Sequence, residues 1–388
     1  MPIINCIDDL RALARRRVPR ALFEYADRGS YDEITLRRNR ADLEALELRQ
    51  RVMVDLSALS VQTTLLGQPA AMPLGIAPTG MTGLFHGNGE IHGARAAHAF
   101  GIPFCLSTLS ICSIEDVREA TGLPFWFQLY LMRDRGFNEE LIARARAAQC
   151  PVLVLTVDLP VQGVRRRDAK NGLTVPPRLT LRNAADIAVR PMWALRVLRA
   201  RRRTYGNLAT GLKGTQGLAT LSQWIATQFD RTVTWKDIDW LRARWQGRLI
   251  VKGILDAEDA RAACAAGVDG LVVSNHGGRQ LDGAPSSIAV LPEIVAAVAG
   301  RCEVLFDGGV RCGQDILKAV ALGARGCLMG KSFLYALGAL GERGVTLALN
   351  ILRDELTATL ALTGRTRIDA VDASILRRRI STEGTARS

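Results

Sequence analysis

Eight short apolar runs, each breaking abruptly into polar residues or glycine, limit what this chain can fold into. They are Leu74–Ala77, Phe104–Leu106, Phe125–Leu129, Val152–Val157, Leu249–Val251, Leu271–Val273, Val304–Phe306 and Cys327–Met329. Apolar runs this short, bounded by turn residues, read as buried strands. Stretches with helical periodicity lie between most of them: Gly89–Phe100, Ile114–Ala120, Asn138–Ala148, Ala257–Ala266 and Gln314–Leu322. Glu115 and Asp116 suit a first helical turn, and Gly267 and Gly323 suit helix C-termini. Eight buried strands alternating with helices predict an α/β fold, a (β/α)8 TIM barrel. An open doubly wound sheet is the alternative. No G-x-G-x-x-G follows the first strand, so a dinucleotide-binding version of it has no support.

The repeat is interrupted once. About 90 residues separate Asp158 from Leu249, and structureless loops of that length are uncommon inside compact domains. We read residues 175–245 as a functional insertion, a lid with a membrane-contacting part, within a single barrel domain spanning 1–380. A helical segment, Asp8–Gly29, precedes the barrel, and 381–388 read as a frayed tail. Eight cysteines are scattered with no Cys-x-x-Cys pair and no Cys/His cluster. That pattern supports neither a metal site nor a disulfide framework, and fits buried inert thiols in a reducing compartment. Met1–Cys6 carries no secretory signature, and no uncharged apolar run approaches the ~20 residues that span a bilayer.

The net charge is +13, which suits nucleic acid, an anionic membrane surface or anionic substrates. Residues 178–203 concentrate it. Arg178, Arg182, Arg190, Arg196, Arg199, Arg201, Arg202 and Arg203 stand against Asp186 alone, a net +7 from eight arginines and one carboxylate. Trp193, Met192 and several aliphatic residues are mixed among them, a composition suited to an interface with anionic lipid. A solvated basic lid is the other reading. A nucleic-acid partner rests on charge alone, because no zinc-finger or RNP motif is present.

Almost every strand ends in hydrogen-bonding or titratable residues: Pro78-Thr79-Gly80, Ser107-Thr108, Gln128-Leu129-Tyr130, Thr156-Val157-Asp158, Lys252-Gly253, Ser274-Asn275-His276, Asp307-Gly308-Gly309 and Gly330-Lys331. In a barrel these ends share one rim, where active sites form. The last two offer free backbone amides with Arg311 and Lys331 nearby, which suits a phosphate after strands seven and eight. Simple tight turns are the bland alternative. His276 and Arg279, three residues apart, combine a base with an anion anchor.

The run from Ser274 to Asp282 resembles the signature of the FMN-dependent α-hydroxy acid dehydrogenases and oxidases. Phe127–Tyr130, Asp158 with Gly163–Asp168, and Val251–Gly253 support the resemblance, which covers about Asp8 to Thr363. Tyr31–Asn39, Arg49–Arg51 and Met132–Phe137 are similar to the membrane-associated bacterial L-lactate dehydrogenases. Val175–Leu181 resembles the mandelate dehydrogenases instead.

The resemblance implies oxidation of an L-2-hydroxy acid, lactate first and mandelate second, on bound FMN. It makes His276 the base, Asp158 its carboxylate partner, and Arg279 and Arg165 the anchors of the substrate carboxylate. Tyr25 and Tyr130 would contact the substrate, although Tyr25 could equally be core packing. Lys252 would lie beside flavin N1, or else be a barrel lysine in an ion pair. Pro78, Thr79, Gly80, Ser107, Gln128, Thr156 and Ser274 would surround the flavin ring. Asp307 would hold the ribityl chain, and Gly308, Gly309, Arg311, Gly330 and Lys331 the phosphate region. Lys331 departs from the family's usual arginine, which gives up bidentate geometry. Gly80 and Leu109 stand where oxidases tend to carry Ala and Trp. The resemblance further implies a quinone or other respiratory acceptor at the cytoplasmic face of the cell membrane, and a homotetramer. A soluble oxidase using oxygen is the remaining alternative.

Overall fold

A computed structural model describes residues 3–173, 180–208 and 227–377. Eight parallel strands form its central sheet: β1 (Leu74–Ile76), β2 (Cys105–Ser107), β3 (Trp126–Leu129), β4 (Val152–Thr156), β5 (Arg248–Ile254), β6 (Gly270–Val273), β7 (Glu303–Phe306) and β8 (Gly326–Met329). Each strand pairs with its sequence neighbour, β8 pairs with β1, and a parallel bridge between Ile76 and Phe104 closes the ring. The expected TIM barrel is therefore the observed fold. β5 is longer than its apolar run suggests, because it extends through Lys252 to Ile254 across a register shift against β6.

Side chains separate into two layers. Cys105, Trp126, Val152, Val154, Ile250, Val272, Leu305 and Leu328 pack inside the barrel, so seven of the eight strands (β2–β8) contribute to one buried cluster. An antiparallel hairpin, Thr63–Leu65 with Gln68–Ala70, contributes Leu65, Leu66 and Ala70 to that cluster. The Trp126 indole donates to Gln68 Oε1 at 3.1 Å. The hairpin thus stoppers the N-terminal foot of the barrel. The opposite strand faces pack against the surrounding helices in a second, larger core.

The N-terminal segment forms α1 (Ile7–Arg17) and α2 (Arg20–Asp27) rather than one continuous helix. Pro19 separates them: proline holds the preceding residue out of helical geometry, and Val18 is extended. α3 (Ile34–Ala45) follows. Outer helices α4 (Gly89–Phe100), α5 (Ile114–Thr121) and α6 (Arg135–Ala147) fall where the periodicity places them. Ser113 caps α5 with its hydroxyl on the Asp116 amide, and the Asp116 carboxylate returns to the Ser113 amide.

Within the insertion, α7 (Leu181–Ala188) and α8 (Pro191–Leu198) bury none of their residues. Leu181, Val189, Met192, Leu195 and Leu198 are exposed, Leu181 at 92%. The pair is nonetheless docked: the Arg20 amide donates to Asp186 at 2.7 Å, and the Trp193 indole to the Leu84 carbonyl at 2.8 Å. Residues 175–179, including Arg178, and the 381–388 tail lie outside the described residues. The barrel resumes with α9 (Ala257–Ala265), α10 (Ser287–Val298), α11 (Gly313–Ala321), α12 (Lys331–Leu340) and α13 (Glu342–Leu362). No helix among the described residues is long and apolar enough to cross a membrane.

Candidate active site

β4 and β5 are paired Thr156 to Lys252, and β6 and β7 are paired Val273 to Phe306. The residues that follow these strands therefore emerge side by side. Gly253 has φ +112°, and a Cβ there would lie 2.6 Å from the Asp158 Cβ. Only glycine lets β5 bulge while Asp158 sits against it.

After β6 the chain reverses through three left-handed residues: His276 (φ +58°), Gly277 (+65°) and Gly278 (+72°). Left-handed backbone costs a non-glycine residue roughly 1–2 kcal/mol, so neighbouring contacts must hold His276 there. Its amide donates to Ser274 Oγ at 3.1 Å, and the Gly278 amide donates to the Asn275 side-chain oxygen at 3.0 Å. Asn275 in turn exchanges two amide hydrogen bonds with Asn39 of α3, at 2.8 and 2.7 Å.

The turn brings His276 Nδ1 to 2.8 Å from Asp158 Oδ1. Burial alone would raise the Asp158 carboxyl; His276 and Lys252 outweigh it and hold the group below the usual carboxylate range. Lys252 is buried, and its ammonium donates to Ser274 Oγ at 2.7 Å and pairs with Asp307 Oδ2 at 2.7 Å. Burial would lower its pKa, but Asp307 and Asp158 outweigh burial and raise it, so the lysine stays charged.

Two guanidiniums crowd the same wall. Arg279 donates to the carbonyls of Tyr25 and Arg28, and lies 4.3 Å from the centre of the Tyr25 ring. Its ion pair with Asp168 is long, at 3.6 Å. Arg165 Nε donates to the Arg279 carbonyl at 3.3 Å. Burial and the charge of Arg279 bring Arg165 down to about 10. Cations pressed together with only the long carboxylate contact to Asp168 form a natural seat for an anion. Tyr130 is buried nearby, edge-on to Phe229 at 5.4 Å, and burial, Asp158 and Tyr25 push its phenol well above the usual range.

These groups share one cavity of about 710 Å3. Tyr25, Pro78, Thr79, Gly80, Ser107, Tyr130, Thr156, Arg165, Lys252, His276, Arg279, Asp307, Gly308, Gly309, Arg311, Gly330 and Lys331 all line it. Three expected residues stand one layer back. Asp158 supports His276, Ser274 supports Lys252, and Gln128 accepts from the Ser107 hydroxyl at 3.0 Å. The two expected phosphate cations already have protein partners. Lys331 donates to the carbonyls of Ala26 (2.6 Å) and Arg28 (3.1 Å), and Arg311 reaches Asp8 at 3.4 Å.

Sequence reasoning missed Arg40 and Asp168. Arg40, on α3, lines the cavity and donates to the Gly309 carbonyl at 2.5 Å and to Asp315 at 2.6 Å. It lies 269 residues from Gly309, and no local pattern marks it. Asp168 was visible inside its motif, but its pairing with Arg279 was not.

A flavin fits this lining on one chemical observation. Gln128 Nε2, Thr156 Oγ1 and Asp307 Oδ1 are buried polar atoms without a hydrogen-bond partner among the described residues. Such atoms are costly unless a ligand completes them. Lys252 adds a buried cation, and Gly308 and Gly309 (φ +115° and +106°) with the start of α12 line the cavity with backbone suited to an anionic tail.

The profile of the FMN-dependent dehydrogenases matches residues 14–378. The chain belongs to that family. It is 48% identical over 375 residues to an L-lactate dehydrogenase of Caulobacter sp. (strain K31), covering 96% of this chain and 98% of that protein. It is 45% identical to an L-lactate dehydrogenase of Ectopseudomonas mendocina (strain ymp), covering 96% and 99%. Among solved structures, the monotopic membrane protein (S)-mandelate dehydrogenase superposes with a TM-score of 0.92 at 36% identity, covering 97% of this chain and 100% of that one. A mandelate oxidase gives a TM-score of 0.82 at 38% identity, covering 97% and 98%. This chain is an FMN-dependent L-2-hydroxy acid dehydrogenase.

Proposed function

We propose that this enzyme oxidises L-lactate to pyruvate on FMN and passes the electrons to a membrane quinone or similar respiratory acceptor. The observation that carries the proposal is the Asp158–His276 pair, 2.8 Å apart, on a cavity shared with Arg165, Arg279, Tyr25 and Tyr130. Arg165 and Arg279 seat the substrate carboxylate. Tyr25 and Tyr130 orient it. With Nδ1 committed to Asp158, Nε2 of His276 takes the proton as the hydroxy acid is oxidised, and the Asp158 carboxylate stabilises the resulting imidazolium.

FMN, when bound, accepts the two electrons. Lys252 would lie beside the flavin ring, where a fixed cation favours the reduced form. Pro78, Thr79, Gly80 and Ser107 would border the ring, Thr156 Oγ1 and Gln128 Nε2 would hydrogen-bond it, and Ser274 would act through Lys252. Asp307 would take the ribityl chain, and Gly308, Gly309, Gly330, Arg311 and Lys331 the phosphate end. Lys331 contributes there as a charge rather than as a fork.

Lactate is favoured over mandelate because the lactate dehydrogenases are 45–48% identical to this chain and the mandelate enzymes 36–38%. Mandelate is the second reading, supported by the TM-score of 0.92. Dye-linked kinetics with L-lactate, glycolate and L-mandelate side by side test this. The highest kcat/KM is expected for L-lactate; a higher value for L-mandelate overturns the assignment.

The insertion over 175–245 acts, on this reading, as a lid within one barrel domain spanning 1–380, and α7 and α8 rest on the cytoplasmic leaflet of the cell membrane. Their exposed aliphatic face supports this. So do Arg182, Arg196 and Arg199, which form no ion pair with described residues. Arg190, Arg201 and Arg202 do not contribute, being tied to Asp186, to Asp116 and Glu119, and to Asp116 respectively. Deleting 190–203 should abolish sedimentation with anionic vesicles while dye-linked activity persists; unchanged sedimentation removes the lipid role. Assembly as a homotetramer belongs to the same reading, and light scattering measures it directly.

A further inference from the structure

Away from the cavity, two thiols lie together at the foot of the barrel. Cys264, near the end of α9, and Cys302, immediately before β7, place their sulfurs 3.5 Å apart. Both are free and partly exposed, and neither takes part in the chemistry described above. Their separation is van der Waals contact, about 1.5 Å longer than the ~2.05 Å of a disulfide. Side-chain rotation at a partly exposed site can supply a movement of that size.

We propose that Cys264 and Cys302 are a redox modification site, closing to a disulfide when the protein meets hydrogen peroxide. One of the two thiols attacks a peroxide oxygen and its proton goes to the departing oxygen, giving a sulfenic acid and one water. The other thiol's sulfur then attacks the sulfenic sulfur and its proton leaves with the hydroxyl, forming the S–S bond and a second water. Two thiols are oxidised, one peroxide is reduced, and two waters leave.

The location decides what the bond does. The 38-residue separation between the two cysteines contains β6 and the whole Ser274–Arg279 turn. A bridge would clamp that segment by its ends, at the foot, while leaving the rim untouched. Cross-linking constrains the unfolded chain most when the closed loop is long. The oxidised protein should therefore unfold at a higher temperature and turn over at the same rate.

The test uses the full-length, flavin-loaded protein, exposed to hydrogen peroxide and then mapped as peptides without reduction. The expected product links the Cys264 and Cys302 peptides, is two hydrogens lighter, and reverts with a thiol reductant. Tm should rise by several degrees in the wild type and not in Cys264→Ser or Cys302→Ser, with kcat unchanged; Cys264→Ala and Cys302→Ala serve if a hydroxyl impairs folding. Sulfinic acid at either position, bridges to other cysteines or between chains, or thiols left intact would each overturn the site. A bridge that forms without raising Tm would overturn its role as a clamp.

Discussion

Strand β5 carries a cation at each end, and the two are used in opposite ways. At the foot, Arg248 pairs with Asp269 at 2.7 Å, and the same carboxylate also takes Arg242 at 2.6 Å and the Leu249 amide at 2.8 Å. The Arg248 side chain is 58% exposed, so water screens whatever that pairing is worth. At the rim, Lys252 is buried, its partner Asp307 keeps one oxygen unpaired, and Thr156 and Gln128 nearby have unmet polar atoms as well. One end is complete as a folded chain. The other is complete only with a ligand. A barrel can accept incomplete polar groups at its rim because the sheet, the two packed cores and the stoppered foot hold the strands in place without them.

Three substitutions probe that contrast, in order of decreasing effect. His276→Ala should lower kcat by roughly 10²–10⁴-fold, the usual worth of a general base, while flavin absorbance and Tm stay near wild type. A wild-type kcat would remove His276 from the chemistry. Next, Lys252→Met strips the partner from a buried carboxylate and should cost about 3–5 kcal/mol in urea unfolding of the flavin-free protein. Arg248→Met, on the same strand, should leave the urea midpoint close to wild type, because water screens the exposed guanidinium. Equal losses at the two positions would erase the distinction between the ends.

A further effect is read through pH. Burial opposes ionisation of Asp269, but the Leu249 amide, Arg242 and Arg248 outweigh it and hold the carboxyl below its usual range. A depressed carboxyl stabilises the fold above its unfolded value, near 3.9, and that share is lost as pH falls through the lower folded value. Asp269→Asn should therefore be less stable than wild type by about 1 kcal/mol at neutral pH, and the gap should close below about pH 4. A gap that stays constant from pH 7 to pH 3 would show that the charge of Asp269 does nothing at the foot.

What was legible in the sequence follows the same division. The strands could be placed because short apolar runs and their polar exits are local patterns, and the exits named His276, Asp158, Lys252 and Asp307 before any geometry existed. Contacts made across the fold left no such trace. Asn39 steadies the catalytic turn through Asn275, and Arg40 reaches Gly309, yet nothing in the local sequence of their helix points to partners 236 and 269 residues away. The charge of the insertion was misjudged for the same reason. Counting arginines from 178 to 203 could not see that Asp116 and Glu119 of α5 take up Arg201 and Arg202. The Cys264–Cys302 pair was likewise invisible among eight scattered cysteines.

The hairpin at the foot has a kinetic consequence. With Leu65, Leu66 and Trp126 filling that end, the foot of the described barrel is closed. On the reaction proposed above, hydroxy acid and electron acceptor both approach from the rim, and the first product leaves before the second reactant enters. Double-reciprocal plots at several fixed acceptor concentrations should accordingly run parallel rather than converge.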